Sequence, residues 1–400
     1  MEGDLLKFDF PTEAPAILKV VGVGGGGGNA VTQMYKETIK DVNFVLCNTD
    51  RQALNNSPVP GKVQLGPGRG AGGDPERGRL LAEEDIEDVK AMLSDGTEMV
   101  FITAGMGGGT GTGASPVVAR VAKELGILTI GIVTIPFVFE GTFKILQALK
   151  GVEEIKKDVD ALLVINNERL RDICSDLSLM EAFKKADDTL AIAVRSISEI
   201  ITIHGYINLD FEDVKKVLKD GGVAIMSSGF GKGENRVSQA IDDALNSPLL
   251  NNNDVFKAKK ILFNIMSSST KPMMAKEITE IHNFMARFNS GVEVIFGTAF
   301  DESLEDQIKI SVLASGFGIE NIISMTEDMI VPDLIKKYYG EETVRQIGHP
   351  ARPRPFIFSM DNIDDNDTIE AVINNPAYNR SSQIMLDIAK KAEARRKEVS

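Results

Sequence analysis

A run of glycine and threonine, Gly107-Gly108-Gly109-Thr110-Gly111-Thr112-Gly113, has the composition of an anion-binding loop. It follows the apolar stretch Met99–Ile102 and precedes a helical pattern that begins near Pro116. Because five of its seven residues are glycine, the backbone can take positive φ and approach a ligand closely. Free N–H groups backed by a helix N-terminus bind phosphates, and Thr110 and Thr112 add hydroxyl donors. The run therefore predicts a phosphate-cradling loop between a strand and a helix.

Two further glycine-rich loops lie upstream. Gly24–Asn29 follows an apolar strand pattern and is expected to form a turn before a helix over residues 30–39. It fits a tight βα turn or a dinucleotide fingerprint, and Asp50 at the end of the next strand keeps the dinucleotide open. A second cradle at 107–113 argues against it, because a dinucleotide site does not use one. Gly66–Asp74 is either a mobile surface loop or a sensor of a terminal phosphate. Together the three loops predict a nucleotide.

Two sets of acidic residues allow a structural and a functional interpretation. Glu140 follows the strand pattern Leu128–Thr134 and is either a solvated loop acid or an acceptor for a ribose hydroxyl. Asp210 and Asp213 suit the first turn of a helix, as N-cap and dipole partner. With Asn208 they could instead form a polar cluster that polarises a water molecule.

Composition limits the class of protein. The 400 residues suffice for two domains, and the net charge of −14 argues against a nucleic-acid surface. No G-x-x-x-x-G-K-[ST] motif occurs, so backbone donors and Mg²⁺ must balance a triphosphate. No apolar run reaches the roughly 20 residues of a transmembrane segment. The acidic N-terminus lacks a signal-peptide pattern, and Cys47 and Cys174 are the only cysteines, which predicts a cytoplasmic protein.

Strands alternate with helices in the first half of the chain, which predicts an α/β fold with a Rossmann-like parallel sheet. Residues 178–203 then form the longest helical pattern, with a capping box of Ser178 and Glu181, and would span about 39 Å. A second, α+β unit follows, with strand patterns at 222–228, 259–266, 292–299 and 307–314. The predicted division is an N-terminal extension (1–15), a nucleotide-binding domain (16–177), a central helix (178–205), an α+β domain (206–318), a linker (319–375) and a tail (376–400).

These motifs resemble the tubulin/FtsZ family, and its bacterial FtsZ branch more than tubulin. The likeness rests on Val21–Ala30, Phe101–Gly113, Pro136–Gly141 and Gly205–Val214, in family order within residues 15–318. It implies the tubulin/FtsZ fold, GTP hydrolysis to GDP with Mg²⁺, head-to-tail protofilaments of identical subunits and a ring at the division site, on the inner face of the membrane. It also implies that membrane-tethering division proteins bind the C-terminal tail.

The resemblance implies roles for individual residues. Glu140 would bind the ribose, Lys144 would lie near the nucleotide, and Asn167 and Asp188 would bind guanine. Asn208, Asp210 and Asp213 would form the catalytic loop that completes the site of the next subunit. The remaining residues would hold the phosphates, and those of the third loop would sense the terminal one: Gly25, Gly26, Gly27, Gly28, Asn29, Ala71, Gly72, Gly73, Gly107, Gly108, Gly109, Thr110 and Gly111.

Three positions depart from the family pattern. Lys144 replaces an arginine, which leaves a point charge in place of a bidentate contact. Asp74 replaces an asparagine and adds negative charge near the phosphates. In the tail, Pro376, Tyr378 and Arg380 keep the spacing of the family's partner-binding peptide, but Asn379 replaces an apolar residue and a basic end follows.

The long central helix predicts that the glycine loops and the acidic loop lie at opposite ends of one domain. Two chains stacked head to tail could then bring them together, and such a contact grows a filament. Two alternatives remain open. One is a filament protein of the same fold that binds GTP without turnover. The other is a dinucleotide enzyme, against which the lack of an obvious hydride-transfer His or Tyr near the loops argues.

Overall fold

The computed structural model describes residues 16–39, 41–168, 178–203, 205–246, 255–288, 291–317 and 338–339. All of them belong to one compact unit. The predicted N-terminal extension, nearly all of the predicted linker and the tail motif lie outside the described residues.

Strands and helices alternate through the first domain and mix in the second. The strands are β1 (Leu18–Val23), β2 (Val42–Asn48), β3 (Gly61–Gln64), β4 (Met99–Gly105), β5 (Leu128–Ile135), β6 (Ala161–Asn166), β7 (Gly205–Ile207), β8 (Gly222–Lys232), β9 (Lys260–Ser267), β10 (Glu293–Phe300) and β11 (Gln307–Ser315). The helices are α1 (Gly24–Lys36), α2 (Arg51–Asn56), α3 (Pro75–Glu84), α4 (Ile86–Leu93), α5 (Gly109–Glu124), α6 (Thr142–Asp158), α7 (Leu179–Thr202), α8 (Phe211–Leu218), α9 (Arg236–Leu245) and α10 (Ile278–Met285).

The strands form one sheet in the order β3-β2-β1-β4-β5-β6-β8-β11-β9-β10-β7. From β3 to β6 all neighbours are parallel, which confirms the Rossmann-like α/β prediction. The second domain joins through two parallel pairs, Ala161 with Gly222 and Leu162 with Val223. Beyond β8 the sheet is mixed, because β11 runs antiparallel to both β8 and β9. The carboxyl ends of β1, β4, β5 and β6 therefore share one edge, where ligands bind in such folds.

The helices that follow the glycine runs at 24–29 and 107–113 begin inside those runs, earlier in the chain than the sequence suggested. Gly24 to Asn29 was expected to form a turn, but α1 begins at Gly24, and α5 begins at Gly109 with Pro116 inside it. Glycine is a poor helix former, so the local pattern favours a turn. Tertiary contact overrides that preference: a Cβ at Gly27 would lie 2.1 Å from the carbonyl oxygen of Thr103, so only glycine allows α1 to pack this closely on β4.

The central helix α7 connects the two halves of the core. Its predicted capping box is confirmed: the Ser178 hydroxyl accepts from the Glu181 N–H, and the Glu181 carboxylate accepts from the Ser178 N–H. Buried α7 residues such as Val194 and Ile197 belong to the same apolar cluster as residues of the parallel sheet and of the second domain. The sheet contributions include Phe101, Ile132, Met226, Leu262 and Leu313. At 24 residues, α7 spans about 36 Å.

The second domain has its own core on the other side of β9 and β11. Phe263, Ile265 and Ile310 pack there against Ile241 of α9 and Phe284 of α10. Its four strands lie where the sequence predicted them, within a few residues at each end. Among the described residues, no helix combines the length and the apolar character needed to cross a membrane.

Candidate functional site

Two helix N-termini meet at the carboxyl edge of the parallel sheet. Helices α1 and α5 follow the neighbouring strands β1 and β4, and each begins within a glycine run. Neither has a side-chain N-cap hydrogen bond, and neither has an acidic residue in its first turn. The first N–H groups of both helices thus lack intrahelical partners, and both positive dipole ends are uncompensated. This pair of helix ends forms a cradle for an anion.

The glycines of the cradle divide into two groups by the space around them. Some are required because the loops touch: a Cβ at Gly24 would lie 2.7 Å from the Gly111 nitrogen, and one at Gly109 would lie 2.9 Å from the Asp74 nitrogen. At Gly25, Gly28 and Gly108 an added Cβ would meet nothing within 4 Å. The first group fixes the loops against one another, and the second leaves room for a ligand above the helix ends.

The third loop packs against the same cradle. Ala71 is buried beside Gly109, whereas Gly72 and Gly73 are exposed with φ of +65° and +79°. Asp74 is the N-cap of α3, and its carboxylate accepts from the Glu76 N–H at 3.0 Å, as the Asp74-Pro75 pair predicted. The aspartate at this departure from the family pattern thus keeps a capping role that asparagine would also serve.

Two side-chain contacts tie the loops together. The Thr110 hydroxyl lies 2.6 Å from that of Thr49 at the end of β2. The Gln147 side-chain amide on α6 donates to the carbonyl oxygens of Gly73 and Gly107, both at 3.1 Å. Sequence reasoning missed Gln147, because a single glutamine on a helix has no recognisable pattern. Gln147 thus bridges the glycine loops at 66–74 and 107–113.

Glu140 lies at the same edge, in a 3₁₀ turn after β5. One of its carboxylate oxygens accepts from the Phe137 N–H at 2.9 Å, and the other lies 3.4 Å from the Lys144 ammonium. Glu140 is only partly exposed, and Lys144 is exposed. Lys144 therefore contacts the acid at this edge and remains accessible to a ligand.

The residues expected to bind the base come from β6 and α7. Asn167 is buried directly after β6, and its side-chain oxygen accepts no hydrogen bond within the described part of the chain. Asp188 lies on α7, partly buried beside Asp187. Burial, and secondarily the Asp188 charge, raise the pKa of Asp187 to about 7. An unsatisfied buried acceptor and a carboxylate suit a ligand that presents N–H donors.

The acidic loop lies at the far end of α7, away from the cradle. Helix α7 starts at the carboxyl edge, where the ring of Phe183 contacts that of Phe137 after β5, and spans about 36 Å. Helix α8 follows it and leads into β8, whose first residue Gly222 pairs with Ala161 at the start of β6, at the other edge. The Asp210 carboxylate accepts from the Asp213 N–H at 3.0 Å, and the Asp213 carboxylate accepts from the Asp210 N–H at 3.1 Å. The Asn208 side chain accepts from the Gly205 N–H. The structural interpretation of this loop thus holds, yet each carboxylate keeps a second oxygen outside the capping box.

The structure brings the predicted phosphate residues together and keeps the three catalytic candidates apart from them. The three glycine loops, Glu140 and Asn167 occupy one edge of the sheet. Asn208, Asp210 and Asp213 follow the opposite end of α7. The sheet is parallel in the first domain and mixed in the second, a cradle of two glycine-rich helix ends lies at its carboxyl edge, and a long central helix joins the two domains. These features define a nucleotide-binding protein of the tubulin type.

Comparisons with known proteins identify the family. Residues 17–175 match the GTPase domain of the Tubulin/FtsZ family, residues 222–318 the FtsZ C-terminal domain, and residues 351–395 a further FtsZ C-terminal model. The cell division protein FtsZ of Porphyromonas gingivalis is 48% identical over 96% of this chain and 90% of its own length. That of Wigglesworthia glossinidia brevipalpis is 44% identical over 76% of this chain and 80% of its own.

Solved structures agree. An FtsZ dimer from M. jannaschii matches with a TM-score of 0.69 and 37% identity, covering 79% of this chain and 95% of that one. CetZ2 from Haloferax volcanii, at 20% identity and a TM-score of 0.67 over 83% of this chain and 99% of its own, shares the fold. The chain belongs to the FtsZ family. It is a GTP-binding GTPase of the cell-division cytoskeleton.

Proposed function

We propose that this GTPase hydrolyses GTP at a site completed between two subunits of a head-to-tail filament. The observation that supports the proposal is the separation of the cradle from the acidic loop by the length of α7. One subunit holds the nucleotide, and the next supplies Asn208, Asp210 and Asp213. The FtsZ dimer among the similar structures agrees with self-association.

Two separate groups of exposed apolar side chains support such a contact. At the cradle edge, Phe139, Phe143 and Met180 are exposed, Phe143 by 77%. On the second domain, β7, which directly precedes the acidic loop, exposes Tyr206 by 86%, and Tyr206 lines one groove with Ile207, Ile278 and Phe300. Two different apolar surfaces suit a heterologous contact, which repeats without closing. The stacked subunits would bury both surfaces and bring the acids to the nucleotide.

At the cradle, the phosphates would lie over the N-termini of α1 and α5. Gly25 and Gly26 of α1 and Gly108 to Gly111 of α5 lie where helix N–H groups lack intrahelical partners, so they provide donors. The Gly107 N–H instead donates to the Thr112 hydroxyl at 2.8 Å, and Gly27 to Asn29 contribute through the helix end. The open sides of Gly25, Gly28 and Gly108 give the phosphates room. Ala71, Gly72 and Gly73 would contact the terminal phosphate. The third loop is therefore the part of the site that distinguishes GTP from GDP.

Glu140 and Lys144 would hold the ribose, and Asn167 and Asp188 the guanine. Guanine presents N1–H and an exocyclic amine on one side, and adenine has no such pair of donors there. The unsatisfied Asn167 oxygen and the Asp188 carboxylate match those donors. An analogue that lacks them would leave buried acceptors unpaired, which makes the discrimination strong.

The acids would act on the attacking water. Asp210 and Asp213 each use one carboxylate oxygen for the capping box, so the remaining oxygens can accept from a water held against the terminal phosphate. Phosphoryl transfer depends mainly on positioning and electrostatics, which two fixed carboxylates supply.

The residues at the cradle also fit a Mg²⁺ ion bound to the nucleotide. The donors of the cradle are N–H groups, which bind phosphate and not metal, and the first turns of α1 and α5 contain no carboxylate. Phosphate oxygens and water would therefore be its main ligands. When bound, Mg²⁺ would reduce the phosphate charge in a chain of net charge −14.

In the cell, the filament would act at the division site on the cytoplasmic face of the membrane. The tail motif with Pro376, Tyr378 and Arg380 would bind membrane-tethering division proteins. The match of residues 351–395 to an FtsZ C-terminal model supports this role. Deletion of residues 376–400 should leave GTPase activity and filaments intact and should disperse a fluorescent fusion from the division site. A deleted protein that still forms rings would contradict the tether role.

Mixing two inactive variants tests the shared site. Asp213→Asn keeps a side-chain acceptor for the capping box but loses the charge. Gly108→Asp places a carboxylate at the N-cap of α5, where it supports the helix and occupies the phosphate position. Each alone should show little turnover. In an equimolar mixture, about a quarter of randomly formed junctions would pair an intact cradle with intact acids.

Because about a quarter of the junctions would be intact, the mixture should regain up to about a quarter of the wild-type activity. Asp213→Asn mixed with wild type at the same total concentration is the matched control for copolymerisation. If the two variants form mixed filaments and show no activity beyond the sum of the separate proteins, the shared site is wrong.

A further inference from the structure

A pair of tyrosines far along the chain contacts the loops at the cradle edge. The side-chain amide of Asn166, the last residue of β6, donates to the carbonyl oxygen of Tyr338 at 2.5 Å. The hydroxyl of Tyr339 donates to the carbonyl oxygen of Pro136 at 2.7 Å. Tyr338 is buried and Tyr339 is partly buried. These contacts join residues separated by 172 and 203 positions in sequence.

The tyrosine pair lies at the edge of the sheet opposite to the carboxyl end of β11, the last strand of the second domain. β11 runs antiparallel to β8, and the start of β8 pairs with the start of β6. The end of β11 therefore lies at the amino edge of β6, whereas Tyr338 contacts its carboxyl end. Residues from beyond the second domain reach the edge where the nucleotide loops lie.

The contacted loops are the two that hold the ribose and base residues. Pro136 begins the turn that ends in Glu140, and Asn166 precedes Asn167. Glu168 connects the two loops, because its carboxylate accepts from the Val138 N–H at 2.9 Å and its own N–H donates to the Asn166 side chain. Burial, followed by the charges of Glu140 and Glu168, raises the pKa of Tyr339.

We infer that Tyr339 is a positioning residue of the nucleotide site, which fixes the Pro136–Glu140 turn through its hydroxyl so that Glu140 faces the ribose. Tyr338 supports the adjacent loop through its carbonyl group and thereby orients Asn166 beside Asn167. Tyr338 and Tyr339 are then part of the GTP site, although the sequence pattern assigned both residues to a linker. The inference rests on the proposed function in one respect, the contact of Glu140 with the ribose.

Removal of one oxygen atom tests the role of Tyr339. Tyr339→Phe in the full-length protein keeps the ring and loses only the hydrogen bond to Pro136. We expect GTP affinity to fall about two- to tenfold, the range of one neutral hydrogen bond. The affinity for 2′,3′-dideoxy-GTP should change little, because that analogue lacks the hydroxyls that Glu140 would bind. The matched control is Tyr35→Phe, since Tyr35 lies near the carboxyl end of α1.

Hydrogen exchange gives a second, independent measurement. In nucleotide-free protein, Tyr339→Phe should speed amide exchange in residues 137–141 and leave that of α3 and the second domain unchanged. Equal loss of affinity for GTP and the dideoxy analogue, or unchanged binding together with unchanged exchange, would overturn the inference. If wild type fails to prefer GTP over the dideoxy analogue, the ribose role of Glu140 fails. The exchange measurement then still decides whether Tyr339 positions the turn.

Discussion

Two alanine substitutions two positions apart in α1, at Gly25 and at Gly27, should have opposite effects on stability. At Gly25 the added Cβ meets nothing within 4 Å, and at Gly27 it would lie 2.1 Å from the Thr103 carbonyl oxygen. Gly25→Ala should therefore keep the fold and stabilise it by about 0.5–1 kcal/mol, the usual gain of alanine over glycine in a helix. Gly27→Ala should destabilise the protein by about 3 kcal/mol or more, since backbone on the neighbouring strand cannot yield cheaply.

Gly25→Ala should weaken nucleotide binding, although it stabilises the fold. The methyl group of Gly25→Ala occupies the open space above the N-terminus of α1, where the phosphates would lie. The loss of one hydrogen bond to a charged phosphate costs about 1.5–3 kcal/mol, which weakens GTP binding about 10- to 150-fold. Gly25→Ala should thus be stable but bind poorly.

Urea unfolding of nucleotide-free protein, followed by circular dichroism, measures the first effect, and displacement of a fluorescent GDP measures the second. Nucleotide must be removed beforehand, because bound ligand itself raises apparent stability. If Gly25→Ala binds GTP within twofold of wild type, the helix end is not a phosphate site. If Gly27→Ala is as stable as wild type, the explanation of the glycine run by close packing is wrong.

Three further predictions concern the base and the loops. Asp188→Ala should weaken GTP binding by roughly 1.5–3 kcal/mol with little change in the urea midpoint, and wild type that binds ATP within threefold of GTP would contradict the guanine assignment. Gln147→Ala should weaken GTP binding by about 1 kcal/mol for each lost bridge between the glycine loops, and unchanged binding by fluorescent-GDP displacement would show that the bridge has no such role. Asp187 has a pKa raised to about 7 in the folded protein, so the folded state holds the proton more tightly and wild-type stability should rise as the pH falls from 8 towards 5. Asp187→Asn should therefore be more stable than wild type at pH 8, by about 2 kcal/mol after allowance for its partial exposure, and the difference should shrink towards pH 5. Equal urea midpoints of wild type and Asp187→Asn at pH 8 would refute the claim that the Asp187 carboxylate is destabilised by burial.

Local signals predicted much of the fold. Apolar runs located the strands, Ser178 and Glu181 marked the start of the central helix, and Asp74 and Asp210 marked two helix N-caps that the structure confirms. These features depend on neighbours within four residues, so they are readable from sequence. The sequence placed the start of α1 at residue 30, whereas the helix begins at Gly24. The prediction missed these residues because the glycines become helical only through contact with β4.

The candidate site was predictable where residue types repeat and unpredictable where contacts are distant. Three glycine loops identified the cradle, but their mutual packing depends on pairs such as Gly24 with Gly111. Gln147 joins loops 40 and 74 residues away. Tyr339 contacts Pro136 across 203 positions. No local pattern distinguishes such residues from ordinary surface side chains. The predicted end of the second domain at residue 318 therefore gave no sign that Tyr339 contacts the site.

The dependence of GTPase activity on protein concentration tests the shared site most directly. Specific activity of the wild type, measured in samples imaged for filaments, should be negligible below a threshold and should rise where filaments appear, because each junction joins a cradle to the acids of the next subunit. Constant activity per molecule down to dilutions without filaments would mean that a single chain contains a complete site, and the account of catalysis between subunits would be wrong.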